Sequence, residues 1–160
     1  MNGLLYSFVK WLEGTGVGTV IRTTRIYPFI QAIHFSGLSL WLATNIVIDL
    51  RLLGIGKKRQ TAAQLSSALF VWNWIGFLVV VLGGFLLFSG IGTTYLVNEA
   101  FRFKLGVFIP IALVWHVFVQ QKVSVWGRTS DTPAVGKLSA VVEIILWLCV
   151  VTAAVLIPNY

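Results

Sequence analysis

Two histidines, two carboxylic acids and a lysine lie in apolar segments where lipid tolerates none of them, and they set the chemistry open to this chain. His34, Asn45 and Asp49 fall inside YPFIQAIHFSGLSLWLATNIVIDLRLLG, residues 27–54, a run long and apolar enough to cross a bilayer. At about 100° per residue, Tyr27, Gln31, His34, Leu38, Trp41, Asn45 and Asp49 share one narrow helical stripe. Such a stripe faces protein, water or a cofactor, because hydrocarbon satisfies no polar group. His116 and Glu143 occupy two later apolar runs, with Asn73 in a third, and Lys104 opens the run that holds His116. Imidazole ligates metal or carries protons near neutral pH, and a carboxyl at membrane depth pairs or takes up a proton.

The elements that must position these groups are spanning helices. Hydrophobic residues make up 58% of the 160 and charged ones only 11%, far from the usual soluble balance, and the mean hydropathy is +0.89. Four spans, residues 26–50, 62–89, 100–120 and 138–157, together with short loops use almost all of the length. The fold class expected is therefore all-α, an integral membrane four-helix bundle forming a single transmembrane domain over 1–160. Residues 2–13 place Leu4, Leu5, Phe8, Trp11 and Leu12 on one face, the pattern of a short amphipathic helix lying in the membrane interface. GTGVGT, residues 14–19, reads as a glycine-rich linker in preference to a nucleotide loop, since no strand precedes it. No basic segment and small-residue cleavage pattern mark a signal peptide, so the start is expected to be retained.

Gly76, Gly83 and Gly90 recur every seven residues and predict a smooth face for close helix packing, while Pro110 predicts a bend in the third span. Residues 90–104 and 120–137 read as loops. The net charge of +7 sits beside apolar runs and suits topology and anionic lipid, not nucleic acid. Loops after spans one and three hold Arg51, Lys57, Lys58, Arg59, Lys122, Arg128 and Lys137, against Lys10, Arg22, Arg25, Arg102 and Lys104 on the other side. The positive-inside rule then leaves both termini outside the cytoplasm. Asp49 beside Arg51 reads as an interfacial residue, and Trp11 and Trp126 as interface anchors. One cysteine, Cys149, excludes an intrachain disulfide.

Depth follows from rise per residue. Tyr27, Gln31, His34 and Lys104 converge in the outer half, and His116 and Glu143 share a level in the inner half, with Asn45 and Asn73 near it. His34 and His116 then lie more than about 10 Å apart along the membrane normal, too far for opposite faces of one iron. Each group also has a structural reading: hydrogen bonds between helices for the histidines, packing contacts for Asn45 and Asn73, and for Trp41 either packing or the wall of a cofactor pocket.

The segment around His34 resembles the first span of a family of small bacterial inner-membrane proteins of unknown function. Ala32, His34, Gly37 and Trp41 form an AxHxxGxxxW-like pattern similar to the first helix of HemJ-type protoporphyrinogen oxidases and CopD-type copper-resistance proteins. FRFKLGVFIPIALVWH resembles the lysine helix of the HemJ family, with Lys104 and His116 at the matching positions. The resemblance implies haem b held by His34, with Lys104 and His116 as further candidates and Trp41 and Tyr27 as lining. It also implies a multi-pass protein of the bacterial inner membrane.

The function expected is membrane electron transfer through haem b, with a quinone or a redox partner. The alternative is a non-catalytic membrane subunit or scaffold, in a homo-oligomer or larger complex and without cofactor. A proton carrier through Glu143 and His116 ranks lower. Copper handling ranks lower still, because one Met and one Cys supply few soft ligands.

Overall fold

The computed structural model describes residues 3–56, 59–129 and 131–157 and is helical nearly throughout. Lys57 and Lys58 of the basic loop, Asn2 and the terminal Pro158 lie outside the described residues. The elements are α1 (Gly3–Gly14), α2 (Gly16–Thr23), α3 (Tyr27–Leu52), α4 (Ala62–Val97), α5 (Glu99–Phe103), a π-helical turn (Lys104–Phe108), α6 (Ile109–Trp126) and α7 (Ala134–Leu156). Four stretches are long and apolar enough to span a bilayer: α3, α4, α5 through α6, and α7. The all-α bundle read from composition is the fold, and the chain is a multi-pass membrane protein in contact with lipid.

The N-terminal region differs from a helix followed by a linker. Residues 16–23 are helical, started by Thr15, whose Oγ1 accepts from Gly18 N–H at 3.2 Å. Gly18 is there for closeness: a Cβ would sit 2.5 Å from the Ser89 carbonyl oxygen and 2.6 Å from that of Leu12. α1 exposes Leu4, Phe8 and Trp11, as an interfacial helix does, and buries Val9 and Leu12.

α4 begins with a capping box, Thr61 Oγ1 accepting from Gln64 N–H while Gln64 Oε1 accepts from Thr61 N–H. It passes the predicted end at residue 89 and reaches Val97, bending at Ile91 (φ −141°, ψ 35°). A kink releases backbone donors, and Glu13 of α1 takes one of them. Its Oε1 accepts from Thr93 N–H at 2.6 Å and Thr93 Oγ1 at 2.8 Å. The helix survives its bend because a side chain from another helix completes it.

The irregularity expected at Pro110 takes the form of the π-helical turn just before it, which accommodates a residue lacking an N–H. α6 then continues to Trp126 and ends at Gly127, whose carbonyl accepts from Ala63 N–H of α4 at 3.1 Å. α7 starts at Ala134, four residues before its predicted start, behind Pro133. The predicted loops are thus mostly helix, because a helix continues past the edge of hydrocarbon without changing periodicity.

α3 and α4 pack most intimately. A Cβ at Gly37 would meet the Val79 side chain at 2.6 Å, one at Gly76 the Trp41 backbone nitrogen at 2.8 Å, and one at Gly83 the His34 Cβ at 2.9 Å. Gly90 faces Ile21 of α2 instead. Three apolar clusters stabilise the bundle. Ile48, Leu52, Ala62, Val119 and Val123 lie toward the α3–α4 loop; Trp41, Ala112, Trp147 and Val150 form the middle; Ile21, Ile30 and Leu87 join only α2, α3 and α4 at the opposite end.

Candidate functional site

The polar residues form two layers, as their depths predict. At the end holding α1 and α2, His34 is half-buried and its Nδ1 lies 2.9 Å from the Val80 carbonyl oxygen of α4. A carbonyl only accepts, so Nδ1 carries the proton and, in the neutral ring, Nε2 keeps its lone pair. Gly83 and Gly84 make room: a Cβ at Gly84 would approach His34 Cε1 to 3.2 Å. Lys104, first residue of the π-helical turn, is close enough to His34 for the two to interact electrostatically. Tyr27 does not reach His34; its hydroxyl pairs with Tyr95 Oη at 2.5 Å. Tyr95 in turn stacks on Phe101.

The second layer is fully buried. His116 Nδ1 is 2.6 Å from Glu143 Oε1, the only side-chain ion pair among the described residues, and the two residues are 3% and 1% exposed. Trp147, one turn after Glu143, donates from Nε1 to the same oxygen at 3.5 Å. Trp41 stands edge-on to His116 at 5.7 Å and to Trp147 at 4.4 Å between centroids, so its place in the stripe makes it the wall of this layer. Asn73 Nδ2 donates to Asn45 Oδ1 and, at 2.8 Å, to Thr44 Oγ1, tying α4 to α3.

Asp49 corrects the interfacial reading. It is 2% exposed, makes no ion pair with Arg51, and lies within electrostatic range of Glu143. Arg51 is buried as well and donates from Nε to the Gln60 carbonyl at 2.6 Å. Glu143 Oε2, Asp49 Oδ2, Asn45 Nδ2 and Arg51 Nη1 are buried without a protein partner. Packing therefore gathers acids, amides and imidazole from four helices, α3, α4, α6 and α7, into one polar core.

The layers remain separate. His34 stands at the level of Val80, while His116 touches Trp41, seven residues and roughly 10 Å further along α3. Gln31 joins neither set of hydrogen bonds described above. Sequence reasoning passed over Trp147, although its spacing of four from Glu143 places both on one helix face. Tyr95 went unnoticed because its segment read as loop. Among the described residues, no three His, Cys, Asp or Glu side chains gather as they would around a metal ion. A haem iron asks less, one or two protein donors.

Compared with known families, curated proteins and solved structures, the chain matches none.

Proposed function

We propose that this chain binds haem b in the half of the bundle that holds α1 and α2, with His34 as axial ligand, and passes electrons within the bacterial inner membrane. The observation that carries the reading is the bond from His34 Nδ1 to the Val80 carbonyl. Histidines that bind metals commonly donate their other ring N–H to a carbonyl or carboxylate, which fixes the tautomer and the ring plane. When bound there, haem b supplies one-electron chemistry.

Several features of the chain fit such a group. Gly83 and Gly84 leave the imidazole room, and the π-helical turn places Lys104 nearby, a kind of helix irregularity frequent at functional sites. The apolar cluster at this end joins α2, α3 and α4 alone, and a Cβ at Gly106 would meet nothing within 4 Å. His116 is not the second ligand: it lies in the other layer and is engaged by Glu143. Both termini on the non-cytoplasmic side would put the haem in the outer half of the membrane.

The test is haem content after expression with ample haem. His34→Ala should lower it at least tenfold with insertion and helicity retained, whereas His116→Gln should leave it near the native value. Native haem content in His34→Ala would overturn the ligand assignment.

The second reading, a non-catalytic subunit, is favoured by the glycine-lined seam of α3 and α4 and by the extensive exposed apolar faces of α4 and α6. It requires no cofactor, and a haem-free native protein would leave it standing.

A further inference from the structure

A second site lies in the other layer and does not depend on the haem reading. Between the first turns of α4 and the last turns of α6 is a side-opening crevice of about 480 Å³. Ser66, Ser67, Gln120 and Ser124 give it polar groups toward the membrane surface, while Phe70 and Trp74 supply aromatic walls deeper in. Ser66 Oγ donates to Gln120 Oε1 at 3.2 Å, linking the two helices beside it. His116 also lines the crevice, although it is 97% buried, and the ring's Nδ1 is occupied by Glu143. Nε2 is the polar atom it has left to offer a ligand.

We propose that this crevice binds the headgroup of a membrane quinone. Phe70, Trp74 and Val117 are exposed beside the opening, apolar surface that meets hydrocarbon in a spanning bundle, so an isoprenoid or alkyl tail can remain there while the headgroup enters. Phe70 and Trp74 stand edge to face at 6.2 Å between centroids, so the ring has an aromatic face to lie against at the wall of the crevice. The polar requirement is narrower. With Nδ1 turned to Glu143, Nε2 of a neutral ring accepts from a hydroxyl, and Nε2 of a ring carrying a second proton donates to a carbonyl. A headgroup that exists as either carbonyl or hydroxyl is matched by a donor–acceptor that changes in the same sense. A fatty acid or phospholipid offers acceptors and charge but no such pair, and its charged group is not drawn to a site whose carboxylate already faces the imidazole.

Native protein in phosphatidylcholine nanodiscs would be titrated with a benzoquinone bearing a decyl tail, using decanol and oleate as controls. Trp74 lines the crevice and Trp41 abuts His116, so tryptophan fluorescence reads occupancy directly. Quenching should saturate near one quinone per chain and resist both controls. Ser67→Phe, which fills the crevice from an exposed position without touching the His116–Glu143 pair, should weaken binding at least tenfold, and His116→Gln should do likewise. His34→Ala should leave it unchanged, so that failure of the haem site and of this site are told apart. Quenching that rises without saturation and equally in Ser67→Phe would overturn the proposal as simple partitioning. Equal displacement by oleate would overturn it in favour of a lipid acyl site, and loss in His34→Ala would place the quinone elsewhere.

Discussion

Replacing Gly76 with Ala tests the packing on which both layers depend. The added Cβ would lie 2.8 Å from the Trp41 nitrogen, 3.0 Å from its Cα and 3.1 Å from the Gly37 carbonyl oxygen. Favourable contact between heavy atoms begins near 3.5–4.0 Å, so α3 and α4 must part by roughly 0.7–1 Å. All three atoms are backbone, and none can escape by rotating a side chain. The shift carries Trp41 with it, away from Trp147 and His116, against which its ring stands at 4.4 and 5.7 Å. Overpacking of this kind costs about 1–3 kcal/mol. Relief of the glycine's conformational freedom returns about 0.5–1 kcal/mol. A net loss of about 1–2 kcal/mol should lower the thermal midpoint by roughly 5 °C for a chain of this size. Thermal unfolding in detergent, followed by circular dichroism, measures it. Gly16→Ala is the control, since a Cβ there meets nothing within 4 Å. Equal midpoints for the two variants would refute the close approach of α3 and α4.

The buried pair should respond asymmetrically. His116→Ala leaves Glu143 buried without its imidazole and should cost about 3–5 kcal/mol, whereas Glu143→Gln keeps an acceptor for Nδ1 and should cost about 1–2 kcal/mol; detergent unfolding would show both, and equal losses would contradict the pairing. Glu13→Ala releases the Thr93 N–H and hydroxyl at the kink in α4. It should cost about 1–3 kcal/mol and loosen α1, seen as faster proteolysis near Gly14–Gly16, and unchanged proteolysis would show that the carboxylate does not hold α1 down.

Much of this architecture was legible in sequence because membrane helices announce themselves by length and hydropathy. The stripe from Tyr27 to Asp49 located the polar side of α3, and rise per residue placed His116 and Glu143 at one level, where the structure pairs them. Helix ends were less legible. Hydropathy records where hydrocarbon stops, not where hydrogen bonds stop, so α4 was cut at residue 89 and α6 at 120, although both continue. The glycines of residues 14–18 read as a linker because glycine permits both flexibility and close approach, and only tertiary contact with Ser89 shows which applies. Asp49 was misplaced for a related reason: proximity to Arg51 in sequence suggested the surface, but helix geometry turns its side chain toward Glu143. Nothing local in the sequence could have linked Glu13 to a kink eighty residues later.

The central claim is that a haem sits beside His34, and the most direct measurement is the reduced-minus-oxidised absorption spectrum of the purified native protein with pyridine haemochrome quantitation. A b-type spectrum with about one haem per chain is expected, a stoichiometry set by the single half-buried histidine whose Nδ1 is fixed by a backbone carbonyl. A featureless spectrum from protein expressed with ample haem would contradict it.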